Sequence, residues 1–474
     1  MALAATHNAS GPSDLTELND LILVSDLHLA DGRTPPFGKF THGENFFWDE
    51  AFGRFVGSVC EGAAVHPQTL IINGDLFDFL RVDRIPRASD PADAALVHRW
   101  QDFLRVIDHP EAGSDLYAAD RSEQEYGFKT QDYKSVWKLL LMYEGHKVFF
   151  ATLDQLLRRE ANRLVIVKGN HDLEFLWEPV RQAFVYFVAG EDCERYASYN
   201  ERVSFFQESV VINGQFYVEH GHRYEEVTHT DRDTRPENKH ELDLPVGSLF
   251  NRYVINKIEE IDPLFDNIKP PTDILKAVAV HSPAKALKIV GHHLVGAWRL
   301  VTKYHVGYAT RIMMNILTIG LPVVVFGILA VVLYIHLQQS ITDSLGAWLL
   351  NGAGSLAGAF FVRWVQKRLF VSDKTPSLLD RAKEVLRTNP SLKMITFGHT
   401  HASEMSFAGK DCWYVNSGTW IPTIDLETHE IQDTNTFCVL RLINEGGVLR
   451  REPLLRWNDS LPGLEPMVFF GTPS

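Results

Sequence analysis

LVIVKGNHD, residues Leu164–Asp172, places a β-branched apolar run directly before a glycine and a cluster of polar donors. A run that short, stopped at once by a turn signal, reads as a buried strand rather than a helix. The pattern recurs along the chain. LILVS precedes Asp26-Leu27-His28, LIIN precedes Gly74-Asp75, QFYVE precedes His220-Gly221-His222, and MITF precedes Gly398-His399-Thr400-His401. Between these runs, Phe46 to Val59 and Val136 to Arg159 carry apolar residues at spacings of three and four, which predicts helices. Strands alternating with helices predict an α/β fold.

Every polar cluster at these strand ends offers oxygen or imidazole donors. Open α/β sheets gather such groups in a crevice at the C-terminal ends of neighbouring strands. In D-x-H and H-x-H, alternate residues of an extended strand would project to one side and reach a common centre. The adjoining glycines allow tight turns and close backbone approach. Imidazole and carboxylate without thiolate suits manganese, iron or zinc better than magnesium or calcium, with manganese expected first.

Bulk properties narrow the reading. At 474 residues and 45% hydrophobic content, the chain is long enough for a large core plus an insertion. A net charge of −14 argues against nucleic acid held by general electrostatics. Cys60, Cys193, Cys412 and Cys438 lie far apart, so neither a disulfide framework nor a structural zinc site is expected. Residues 1–20 lack the basic start and apolar run of a signal peptide and read as a flexible N-terminus.

Taken in order, the five motifs resemble those of the calcineurin-like metallophosphoesterases, whose signature runs D-x-H, GD, GNH[DE], a histidine block and G-H-x-H. The match extends from about residue 21 to residue 419, insertions apart. The resemblance implies a four-layer α-β-β-α sandwich with two divalent metal ions at its edge. One ion would take Asp26, His28, Asp75 and His401; the other would take Asp75, Asn170, His220 and His399, so that Asp75 bridges them. In the fourth block the family pattern favours His220 as ligand, with His222 behind it. Two such cations can bring the pKa of a bridging water towards neutrality and clamp phosphoryl oxygens during in-line displacement. His171 is then the candidate to steady the transition state and protonate the leaving group, with Asp172 fixing its tautomer. Asp78 is expected behind the ligands, and Asn416 and Ser417 could line the pocket.

The substrate is less closely specified. Phe79 stands where protein Ser/Thr phosphatases of this superfamily carry a phosphate-holding Arg, and Asp172 where they carry Glu. The SDLHL and GDLFDF wording is more similar to the bacterial branch that includes UDP-2,3-diacylglucosamine pyrophosphohydrolases, although that family usually has Arg at the position of His171. The expectation is hydrolysis of a phosphodiester or pyrophosphate, lipid-linked in the leading version. The alternatives are a soluble nucleotide or phosphomonoester as substrate, and a non-catalytic membrane scaffold.

Two uncharged runs, Ile312 to Ile335 and Leu345 to Val362, would rise roughly 36 and 27 Å as helices. They predict a transmembrane hairpin over residues 311–363, with basic flanks keeping the catalytic domain cytoplasmic and the lipid bilayer as a partner. The metallophosphoesterase domain would then comprise residues 21–310 and 364–474, with a helical cap inserted at 81–133. His292 and His293 would lie at the membrane interface rather than bind metal.

Overall fold

The computed structural model describes residues 3–34, 38–60, 66–260, 288–315, 377–421, 423–424, 431–432, 436–452 and 454–467. The five apolar runs form strands β1 (Asp20–Val24), β2 (Gln68–Asn73), β3 (Arg163–Val167), β4 (Phe216–Glu219) and β5 (Met394–Phe397). β1, β2 and β3 are parallel neighbours in a nine-stranded sheet, where Cys438–Glu445 pairs antiparallel to β1. β4 and β5 are parallel neighbours in a six-stranded sheet. Residues His7–Ala9 and Ser13–Leu15, expected as part of a flexible start, form edge strands of the two sheets.

Side-chain alternation builds the cores. Leu21 and Leu23 of β1 join Ile71, Val165, Phe216, Val218 and Met394 in a cluster shared by both sheets. Ile22 and Val24 point the other way, into a larger cluster with Phe52, Leu139, Phe149 and Phe184 from helices Asp49–Cys60, Asp132–Gly145, Lys147–Arg158 and Glu178–Val188. On the second sheet, Tyr217, Ile395 and Phe397 pack with Leu378 and Ala382 of helix Leu378–Thr388. The inserted segment 81–133 contains helices Pro91–Val106 and Arg121–Tyr126.

The expected sandwich carrying a transmembrane hairpin is corrected on one finding: among the described residues, no helix is long and apolar enough to cross a membrane. The first apolar run is described only as far as Asn315, in a helix Val306–Asn315 that contains Arg311 and rises about 15 Å. The rest of that run and all of 345–362 lie outside the described residues. The membrane location and the cytoplasmic placement of the catalytic domain rested on the hairpin and fall with it. The fold is a mixed α/β arrangement with several sheets. The chain divides into two compact units, Met1–Leu294 with Ser377–Ser474, and Val295–Pro376. Within the second unit the described residues form helices Val295–Tyr304 and Val306–Asn315.

The helix expected over Val136 to Arg159 is broken at His146, for a reason that bears on the site. Gly145 lies against the loop that follows β1, where an added Cβ would come within 2.2 Å of the Asp31 carbonyl oxygen. The Glu44 carboxylate accepts hydrogen bonds from the backbone of Ala30, Gly32 and Phe46, and His146 Nε2 meets it at 2.9 Å. Asp49 Oδ1 lies 3.0 Å from His146 Nδ1. Burial opposes the charged ring, but Glu44 and Asp49 raise His146 to about 10. A raised folded-state pKa stabilises fully below the unfolded value, near 6.5, and the stabilisation is lost as pH rises through about 10. Wild-type stability in urea should therefore decline between those pH values. His146→Gln should cost about 3–5 kcal/mol at neutral pH and flatten that decline. An unchanged slope in the variant would remove His146 from the account.

Candidate metal centre

The strand ends converge as the polar clusters suggest, but by a backbone route the alternation argument did not foresee. Asp26, His28, Asp75, His399 and His401 all lie past their strands with φ between 51° and 70°, in the left-handed region. Non-glycine residues there are strained by about 1–3 kcal/mol each, and such strain gathers at functional sites. The turns are held from behind. Asp26 accepts His399 N–H at 3.1 Å, Thr419 Oγ1 donates to the Asp26 carbonyl at 2.8 Å, and Ser25 and Ser417 hydroxyls meet at 2.7 Å. Asn416 Nδ2 donates to the Gly398 carbonyl at 2.8 Å. Asn416 and Ser417 thus brace the G-H-T-H turn instead of lining the pocket, and both are buried.

Two donor groups result. Asp26, His28 and His401 form one, and Asp75, His220 and His399 form the other; in each, the ligating atoms lie within 4.8 Å of one another. Asp75 lies between them: its Oδ2 is 3.0 Å from His220 Nε2 and 3.7 Å from His28 Nε2. Two glycines make room for this. A Cβ on Gly169 would lie 2.1 Å from Asp75 Oδ1, and one on Gly74 would lie 2.2 Å from the His220 ring.

Several polar atoms here face one another in ways that a bound cation would reconcile. His220 Nδ1 donates to the Asn73 carbonyl at 2.9 Å, which leaves the Nε2 lone pair pointing at a carboxylate oxygen without a hydrogen bond. The Asn170 side-chain oxygen is buried and unpartnered. His28 Nε2 and His401 Nε2 are 3.1 Å apart. The same carboxylates draw positive charge to the site: burial disfavours charge on His220, yet Asp75 and Asp26 raise it to about 10, so a proton on Nε2 occupies the place that a cation would take. Burial would raise Asp75, yet His220 and His171 hold it well below the carboxylate range. Groups here could hold a metal ion, and the residues present fit one.

The structure redistributes the roles around His171. Its backbone N–H donates to Asp75 Oδ1 at 2.9 Å, and its Nδ1 lies 2.8 Å from Asp78 Oδ2. Asp78 and not Asp172 therefore sets the ring. Asp172 accepts instead from Gly169 N–H at 2.6 Å and Leu76 N–H at 2.9 Å, tying together the loops that carry Asn170 and Asp75. Although burial lowers it, His171 is raised to about 9 by Asp78 and Asp75. His222 is buried with Nδ1 unpartnered and its ring centroid 5.5 Å from that of His220, outside both donor groups.

Sequence reasoning missed Glu225, whose Oε2 is 3.3 Å from His399 Nε2; no motif marked it. Three further groups among the described residues could hold an ion: His28 with Asp78 and His171, Glu125 with His292 and His293, and His42 with Asp83 and Glu260. His293, expected at a membrane interface, is buried, and its Nδ1 is 2.9 Å from the Tyr126 hydroxyl. Neither a family model, nor a curated protein, nor a solved structure matches the chain.

Proposed function

We propose that the protein is a metal-dependent hydrolase of a phosphate ester, either a phosphodiester or a pyrophosphate. The observation that carries the reading is the placement of the Asp75 carboxylate between two imidazole-bearing donor groups, 3.0 Å from His220 and 3.7 Å from His28. Asp26, His28, Asp75 and His401 would hold one divalent ion, and Asp75, Asn170, His220 and His399 a second. The donor chemistry favours manganese, with iron or zinc as the other choices. When bound, such a pair supplies Lewis acidity towards phosphoryl oxygens and a water nucleophile usable near neutral pH.

The protein's own residues supply orientation and a proton. His171 packs edge-on against His28, with ring centroids 4.7 Å apart, and so stands beside the first donor group. Asp78 occupies its Nδ1 edge, which leaves Nε2 for the leaving-group oxygen. As the bond from phosphorus to the water oxygen forms and that to the leaving oxygen breaks, the His171 proton neutralises the departing oxygen. The lipid-linked version of the substrate followed from the membrane hairpin and is dropped with it.

Purified protein, analysed for metals by mass spectrometry and assayed on p-nitrophenyl and bis-p-nitrophenyl phosphate, tests the reading. Stoichiometric divalent metal and metal-dependent turnover are expected. Fully loaded protein that cleaves neither ester nor a panel of nucleoside pyrophosphates would leave a non-catalytic binding protein as the better account.

A further inference from the structure

His171 is set by Asp78, but Asp78 is not isolated. Arg81 Nε donates to the same Asp78 Oδ2 at 2.9 Å, and Arg81 Nη1 donates to Glu259 Oε1 at 2.6 Å and to the Gly43 carbonyl at 3.3 Å. Asp78, Arg81 and Glu259 are at most 4% exposed. A carboxylate, a guanidinium and a second carboxyl group thus run from the imidazole to a residue 178 positions away from Arg81, with burial raising Glu259 to about 7.

Glu259 ends a helical strap, residues 246–259, made of three short helical pieces. The strap is fastened to the loop that carries Arg81. Asn256 Nδ2 donates to the Leu80 carbonyl at 2.6 Å, and Arg252 Nη2 donates to the Gly127 carbonyl at 2.6 Å, inside the 81–133 insertion. Buried ionic groups of this kind are a poor source of net stability, because desolvation offsets most of the attraction. Fixed orientation is what they do provide, since a guanidinium held at both Nε and Nη1 cannot pivot.

We propose that Glu259 and Arg81 are positioning residues for the reaction: the strap, acting through Arg81 and Asp78, fixes the angle of the His171 ring. The inference rests on the proposed hydrolase reading for its catalytic consequence. Its structural content does not depend on that reading. Without Glu259, Arg81 keeps Asp78 and the longer contact to the Gly43 carbonyl but loses the short bond to its second carboxylate, so it is held less firmly against Asp78 and the Nδ1 edge of His171 is less closely fixed. Glu259 and Arg81 belong to neither donor group, and although Asp78 Oδ2 also lies 3.6 Å from His28 Nδ1, His28 turns its Nε2 towards His401 and Asp75, so metal content should stay near wild type.

The test uses Glu259→Leu, Glu259→Gln and Arg81→Lys in the full chain. Glu259→Leu should lower kcat about 10–100-fold, the usual effect of removing a partner that orients an active group, while KM and bound metal stay unchanged. Glu259→Gln keeps an acceptor oxygen for Arg81 and should restore part of the loss. Arg81→Lys keeps the charge but cannot hold both carboxylates, and it covers the case in which Glu259→Leu does not fold. A second readout is independent of turnover: the low-field proton resonance of His171 Nδ1, identified by its loss in His171→Gln, should shift or broaden in Glu259→Leu and Arg81→Lys. Wild-type kcat with an unmoved resonance overturns the proposal, as does a kcat loss that follows metal loss. If wild-type protein hydrolyses no phosphate ester while the resonance still responds, the function fails and the positioning stands.

Discussion

Asp75→Asn is expected to strip both cations from the protein together and to abolish turnover. The carboxylate does three things at once. Its Oδ2 faces His220 Nε2 at 3.0 Å and His28 Nε2 at 3.7 Å, and its Oδ1 accepts the His171 backbone N–H at 2.9 Å. An amide of the same shape must choose. With oxygen kept towards His171, its NH2 group points into the space between two imidazoles and repels a cation. With oxygen turned inwards, an N–H opposes the His171 N–H and the third motif loses its tether. Either way the negative charge common to the two donor groups is gone, and neither group keeps its affinity. Metal analysis after exhaustive dialysis should show far less than one equivalent, and kcat should fall further than the roughly 10²–10⁴-fold typical of losing a general acid. His401→Gln is the contrast. His401 reaches Asp26 at 3.3 Å and belongs to the first group alone, so one ion should weaken while the other persists. Two tightly held ions in Asp75→Asn would show that the carboxylate is not common to both.

The positions of the donors were legible because a buried strand followed at once by a glycine and polar residues can end in few ways. Residues 26, 75, 170, 220 and 399 needed only that local signal and the order of the strands. The backbone that aims them was not legible. Extended alternation and a left-handed turn both bring residues i and i+2 near one centre, and one sequence cannot separate them; the φ values of Asp26 and His28 decide it. Partnership was harder still. Asp172 and Asp78 are equally plausible neighbours of His171 in the text, and only the fold shows that Asp172 is engaged with the backbone of Gly169 and Leu76. The break at His146 depends on a contact between Gly145 and the loop at Asp31, remote in sequence and silent in helical periodicity. The membrane expectation went wrong for a different reason. Apolar length states that a segment avoids water, not what covers it, and the described residues contain no helix suited to a bilayer.

His171→Ala should lower kcat by about 10²–10⁴-fold while both ions remain bound. The imidazole shares a possible donor group with His28 and Asp78 but is not among the donors gathered on either side of Asp75, and the contact with Asp75 that matters for architecture comes from the His171 backbone N–H, which alanine retains. What alanine removes is the ring that Asp78 holds at 2.8 Å beside His28, and with it the proton for the departing oxygen. An ester with a good leaving group needs that proton least, so p-nitrophenyl substrates should suffer less than alkyl ones in this variant. Asp172→Asn should behave in the opposite sense. Its carboxylate joins the loop of Asp75 to the loop of Asn170, so an amide there should loosen metal binding and lower stability without that dependence on leaving group. If His171→Ala turns over alkyl and aryl esters with the wild-type ratio, the ring is not the acid. If Asp172→Asn shows the leaving-group dependence instead, the assignment of the two neighbouring residues must be exchanged.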